Sequence, residues 1–262
     1  MAVETFSSII EQVAPLTEQV TLHLMGDPLV HPKLGEFITV CERFQVQIFF
    51  VTNGVLLNSV REELLLRPVI RQVNFSLHSF HDNYGDKDPG IYLGKIFKFT
   101  ERAFIERPEL YINYRLWNLE APVGAGAQNR SMLQRVCEHF DFQFNHHVDV
   151  RQNKSVWIKN RLYLHFDTEF AWPSLDLPML GERGTCYGLS SHFGILADGT
   201  VVPCCLDKEG KIPLGNVQDQ PILEILNGER AQRILKGFKQ NKLVEKLCHR
   251  CNYITRFGPD LT

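Results

Sequence analysis

Apolar positions in the first 170 residues switch between two spacings. Residues 3–13 put Phe6, Ile9, Ile10 and Val13 at helical intervals, and Pro15 stops that helix. Residues 19–25 (QVTLHLM) predict a strand, residues 34–44 an amphipathic helix, and residues 46–51 (VQIFFV) a near-continuous apolar strand. The series continues with a helix over 60–66, a strand over 72–77 (QVNFSL) and a helix over 92–105 with Phe97 and Phe104 on its buried side. It closes with a strand over 110–117 (LYINYRLW), a helix from about 130 to 140 and a strand over 161–166 (RLYLHF). Strands separated by helices imply parallel β-α-β units with right-handed crossovers. Polar residues gather just after the strands: Gly26-Asp27-Pro28, Thr52-Asn53-Gly54, Ser76-Leu77-His78-Ser79, and Arg115 with Asn118. α/β folds place their chemistry at these C-terminal strand ends. About five strands are too few for an eight-stranded barrel.

The pattern then changes. Residues 171–184 (AWPSLDLPMLGERG) hold two prolines and two glycines and read as a linker. Beyond it, residues 193–197 and 200–203 flank Asp198-Gly199, a strong hairpin signal. Two short helices are expected near 221–226 and 229–238.

Composition narrows the function. The chain has 262 residues and a formal charge of -2. Its pI is near 6.6 and its mean hydropathy is -0.15. A strongly basic nucleic-acid binder is not expected. No apolar run approaches the ~20 residues of a membrane span, and the first residues do not read as a signal peptide. A cytoplasmic protein is therefore expected. In that reducing setting the seven cysteines read as metal ligands, catalytic groups or core residues rather than disulfides.

Five cysteines lie beyond the linker: Cys186, Cys204, Cys205, Cys248 and Cys251. Cys248-His249-Arg250-Cys251 is a knuckle that puts two thiolates on one side of a tight turn. Cys186 and Cys204 would complete a set of four, which suits a 4Fe-4S cluster or a structural zinc. In an extended segment the adjacent Cys204 and Cys205 would face opposite ways, so one of them ligates and Cys205 reads as the spare. Cys41 and Cys137 fall on apolar helix faces and read as core thiols. His249 reads as orienting the turn, and His146-His147 as surface loop residues.

Cys186, twelve residues, Gly199, four residues, Cys204, a gap and Cys248-x2-Cys251 resemble the cysteine pattern of SPASM or "twitch" domains. These are the auxiliary iron–sulfur domains at the C-terminus of many radical S-adenosylmethionine (SAM) enzymes. FGILADGTVVPCC and LGNVQDQPILEILNG resemble the strand, turn, cysteine, "GN" and helix of such domains. Independently, HLMGDPLVHPKL resembles the radical SAM segment Gly-Gly-Glu-Pro-Leu-x-His-Pro. VTNG, SLHS and YRLWN resemble the segments at the ends of the next three strands. Asp27 stands where glutamate is usual and Met25 where glycine is.

The resemblance implies an α/β protein. Residues 1–170 would form a partial (β/α) barrel of radical SAM type with its first strand missing, residues 171–184 a linker, and residues 185–262 a small cysteine-rich SPASM/twitch-like domain. Gly26, Asp27 and Pro28 would meet the amino and carboxylate ends of SAM, the Asp27 backbone or carboxylate facing the ammonium. Asn53, Ser76 and His78 would line the ribose and methionine region. Arg115 would donate to the SAM carboxylate, a strand-end salt bridge being the other reading. Cys186, Cys204, Cys248 and Cys251 would hold one auxiliary 4Fe-4S cluster. Relatives often modify peptides or proteins, so a peptide substrate is one expectation.

One element of that family is absent. Radical SAM chemistry requires a Cys-x3-Cys-x2-Cys loop, and these 262 residues contain none. Two explanations stand: a sequence that starts late, which is preferred, or a barrel that has lost its catalytic cluster. Either way, no residue of this chain is assigned a catalytic role, and the chain alone is not expected to cleave SAM. The competing function is a non-catalytic binding module or scaffold stabilised by four cysteines around zinc or iron–sulfur. An uncovered barrel edge would favour self-association.

Overall fold

A computed structural model describes residues 1–120, 129–144, 149–169 and 171–256. They divide into two compact units, residues 17–169 and residues 1–16 with 170–262.

The first unit is built on a six-stranded sheet. Its strands are β1 (Gln19–Thr21), β2 (Gln47–Thr52), β3 (Ile70–Ser76), β4 (Tyr111–Leu119), β5 (Ser155–Lys159) and β6 (Leu162–Thr168), in the order β1-β2-β3-β4-β6-β5. The strands β1, β2, β3, β4 and β6 are parallel neighbours, and β5 is antiparallel to β6. Between them lie α2 (Leu34–Arg43), α3 (Ser59–Leu65), α4 (Ser79–Tyr84), α5 (Gly90–Glu106) and α6 (Arg130–Phe140).

The two faces of the sheet differ. Register aligns Phe50, Val73, Ile112 and Leu162 in one row and Thr52, Phe75, Tyr114 and Leu164 in the next. All eight are buried. Phe75 packs edge-on against Phe99 of α5, and Tyr114 meets Phe97 of α5 and Phe140 of α6. Burying such apolar side chains stabilises by roughly 1.5–3 kcal/mol each, so this face anchors the helices. Side chains alternate along a strand, and the other face carries the rows Val51-Asn74-Asn113-Tyr163 and Ser76-Arg115-His165. Of these seven only Asn74 is fully buried.

The second unit holds α1 (Val3–Val13), a three-stranded antiparallel sheet of β7 (Gly194–Ile195), β8 (Thr200–Val202) and β9 (Gly215–Asn216), and helices α7 (Ile222–Asn227) and α8 (Glu229–Lys239). Its core includes Ile212, Ile234, Phe238, Leu243 and Leu247, with Cys186 and Cys248 packed against them.

Several expectations change. The strand expected over 19–25 ends at Thr21, because the chain then bends into Gly26, whose φ is +83°. The hairpin strand β5 and the short α4 are absent from the sequence reading. Asn160, at φ +49°, makes the β5–β6 turn. The first helix, assigned from sequence to the barrel, groups with the C-terminal residues. There the Gln12 side chain accepts a hydrogen bond from the Ile222 amide at the start of α7 (2.8 Å). Cys41 is buried as expected, whereas Cys137 is only half-buried. Residues 171–184 form no helix or strand beyond a single bridge from Arg183 to Lys242. His146 and His147 lie outside the described residues.

Candidate SAM site and cysteine centre

The segment after β1 and the segment after β2 are joined by one carboxylate. Asp27 Oδ1 accepts from the Leu29 amide (2.9 Å), starting the short 3-10 turn Pro28–Val30. Its Oδ2 accepts from the Thr52 hydroxyl and the Asn53 amide, both at 2.7 Å. Thr52 Oγ1 in turn accepts the Gly54 amide (2.9 Å). Asn53 Oδ1 accepts the Val55 amide (2.9 Å), and the buried Tyr92 hydroxyl donates to the Asn53 carbonyl (2.7 Å). Gly54 has φ +75°, and a Cβ there would stand 3.0 Å from Ile96. A Cβ at Gly26 would meet nothing within 4 Å, so the loop is open on that side.

The next candidates sit on β3, β4 and their extensions. Ser76 is in register with Arg115. His78 Nδ1 lies 3.1 Å from the Arg115 carbonyl. Burial lowers the proton affinity of His78 and brings Arg115 down to about 10. Arg115 has no salt bridge among the described residues, and its Nε is buried without a partner there. Its guanidinium lies 4.4 Å from the Trp117 ring centroid and 5.7 Å from that of Phe49. Trp117 Nε1 donates to His165 Nδ1 (2.9 Å). Burial, then Arg115, hold His165 down to about 4. His23 also has a buried, unpartnered Nδ1 and a proton affinity lowered by burial and then by Arg115.

Of the residues singled out from sequence, the fold joins Asp27 to Asn53 by a hydrogen bond, and Ser76 and His78 to Arg115 by register and by a close contact. Sequence reading missed Tyr92 and His165, and it placed Thr52 at a strand end but assigned no role to it, to Trp117 or to His23. The alternation of YINYRLW and RLYLHF was the available signal: Asn113, Arg115 and Trp117 share one strand face, as do Tyr163 and His165.

In the second unit, the Asp198-Gly199 turn closes the β7–β8 hairpin. Gly199 has φ +89°, and a Cβ there would collide with Asn216 Oδ1 at 2.7 Å. Cys204 and Cys205 lie in the bend after β8, not in an extended segment. The opposite-face expectation therefore fails, and both thiols are half-buried. Backbone amides approach four of the five sulfurs: Gly188 and Tyr187 at Cys186, Leu206 and Asp207 at Cys204, its own amide at Cys205, and Tyr253 and Ile254 at Cys251. Cys248, on the 3-10 turn Cys248–Arg250, is raised by burial and then by Cys204, Cys251 and Cys186. Burial pushes Cys204 up to about 12. Cys205 is raised by burial and then by Cys186. His249 Nε2 lies 2.9 Å from the Leu243 carbonyl and orients the turn. Among the described residues no three His, Cys, Asp or Glu side chains form a set for one metal ion. A lone tetrahedral zinc needs thiolate sulfurs about 3.8 Å apart, given Zn–S bonds near 2.3 Å.

Residues 186–252 match the SPASM family model, an iron–sulfur cluster-binding domain. Nothing among curated proteins matches the chain. Among solved structures, BtrN in complex with AdoMet and 2-DOIA aligns with a TM-score of 0.58 and 17% identity, over 96% of this chain and 80% of BtrN. anSMEcpe with bound AdoMet and Cp18Cys peptide gives 0.54 and 15%, over 98% and 79%. Streptococcus suis SuiB bound to precursor peptide SuiA gives 0.56 and 15%, over 97% and 66%. The chain has the fold of the radical SAM enzymes, a partial α/β barrel, and carries a C-terminal SPASM domain. No helix among the described residues is long and apolar enough to cross a membrane.

Proposed function

We propose that this chain is the body of a radical SAM enzyme whose complete form generates a 5'-deoxyadenosyl radical and abstracts hydrogen from a substrate. The observation that carries this reading is the placement of two linked groups, Asp27 with Asn53 and Arg115 with Ser76 and His78, at successive strand ends of a parallel sheet with that fold. Gly26, Asp27 and Pro28 face the amino-acid end of SAM. Three donors engage the Asp27 carboxylate, so Asp27 serves by fixing the two loops, and the ammonium is left to the loop backbone. Asn53, Ser76 and His78 line the ribose and methionine region. Arg115, desolvated and without a carboxylate partner among the described residues, receives the SAM carboxylate.

Cys186, Cys204, Cys248 and Cys251 hold one auxiliary 4Fe-4S cluster. Amide donors at three of these sulfurs favour the thiolate form, and the neighbours that raise Cys248 are the other three. Bound there, such a cluster supplies electron transfer or substrate binding. The substrate is proposed to be a peptide, by analogy with the peptide-bound SuiB and anSMEcpe structures. The protein is proposed to act in the cytoplasm, with no membrane or nucleic-acid partner.

These 262 residues contain no Cys-x3-Cys-x2-Cys and by themselves do not form 5'-deoxyadenosine. Anaerobic reconstitution with iron and sulfide, followed by assay for 5'-deoxyadenosine, tests the reading. Iron–sulfur absorbance without 5'-deoxyadenosine is expected. Zinc retained with neither iron nor sulfide would favour the binding-module alternative.

A further inference from the structure

We propose that Trp117 is a positioning residue that fixes the Arg115 guanidinium for a carboxylate ligand, and that His165 pins Trp117 in place. This rests on the reading of Arg115 as the SAM carboxylate donor.

A buried arginine normally has its plane set by a bidentate carboxylate. Arg115 has none among the described residues, and its Nε finds no acceptor. The Trp117 ring centroid lies 4.4 Å from the guanidinium carbon, closer than that of Phe49 at 5.7 Å. Arg115 and Trp117 are two apart on β4 and so share one strand face. An aromatic face attracts a guanidinium without consuming its N–H donors, which stay available for an incoming anion.

The indole could swing if nothing held it. Its N–H donates to His165 Nδ1 at 2.9 Å, and His165 on β6 pairs in register with Arg115. Arg115, Trp117 and His165 therefore close a triangle across two neighbouring strands. The hydrogen bond requires an unprotonated Nδ1, which is the neutral imidazole with its proton on Nε2.

The test is equilibrium binding of two probes to the full chain by calorimetry. S-adenosylhomocysteine carries the amino-acid carboxylate; 5'-methylthioadenosine lacks it. Wild type is expected to prefer the former, and Arg115→Gln to lose the carboxylate's share of the preference, leaving the share due to the ammonium. Trp117→Leu should cut the preference roughly 3- to 30-fold, the range of a cation–π contact. Trp117→Phe, which keeps a ring but loses the N–H, should fall between, and His165→Ala should match it. Affinity for 5'-methylthioadenosine should stay constant throughout, which a merely misfolded variant would not show. Full preference in Trp117→Leu, with loss in Arg115→Gln, overturns the positioning role and spares the Arg115 reading. Absence of any preference in wild type overturns the Arg115 reading itself.

Discussion

The Thr52 hydroxyl donates to Asp27 Oδ2 at 2.7 Å, joining the loop after β1 to the loop after β2. The two residues are 25 positions apart and meet because β1 and β2 pair in parallel. Thr52→Val keeps the shape and removes the donor. A hydrogen bond to a charged group contributes about 1.5–3 kcal/mol, so the melting temperature should fall by several degrees. Affinity for S-adenosylhomocysteine should fall with it, and Thr52→Ser should restore both. Unchanged melting and binding in Thr52→Val would remove the clamp role.

Acid should destabilise the barrel through its histidines. Burial holds His165 down to about 4 from its ordinary 6.5. Above pH 6.5 it is neutral both folded and unfolded, and its low folded value costs nothing. Between 6.5 and 4 the unfolded chain takes up the proton and the folded chain does not, so stability falls with pH. His165→Gln keeps an acceptor for Trp117 and removes this titration. Its melting temperature should fall less steeply between pH 7 and 4.5 than that of wild type; parallel curves would contradict the assignment. His23 and His78, also lowered, supply the remaining slope.

The two neighbouring thiols should behave differently. Cys204 has two backbone amides at its sulfur and is among the neighbours of Cys248, whereas Cys205 has one, its own, and is among the neighbours of Cys251. Cys204→Ala should lose most bound iron after anaerobic reconstitution, and Cys205→Ala should keep it. The reverse result would move the ligand by one residue.

The edge strand β1 should drive association. It is three residues long, pairs only with β2 among the described residues, and exposes Gln19 and Thr21. Unpaired strand edges recruit other edges. Light scattering over a wide concentration range should show a rising mass; a constant monomer mass would count against it.

What the sequence disclosed follows the range of the interaction. VQIFFV is a buried strand by composition alone, and the Asp198-Gly199 hairpin and Cys248-x2-Cys251 knuckle are local, so all were legible. Strand-end residues such as Asp27 and Arg115 could be located, but their partners could not. The Asp27 carboxylate answers to Thr52, and Trp117 to His165, 48 positions away. Those pairings depend on which strands become neighbours. The opposite-face argument for Cys204 and Cys205 did not hold because a bend replaced the extended segment. β5 was missed because its turn depends on Asn160 taking positive φ, a choice that tertiary context makes.

The most direct measurement of the central claim is the metal and sulfide content of the anaerobically purified chain, with Mössbauer spectra of the iron. One auxiliary 4Fe-4S cluster predicts about four iron and four sulfide per chain and their loss in Cys248→Ala. Stoichiometric zinc with no sulfide would contradict it.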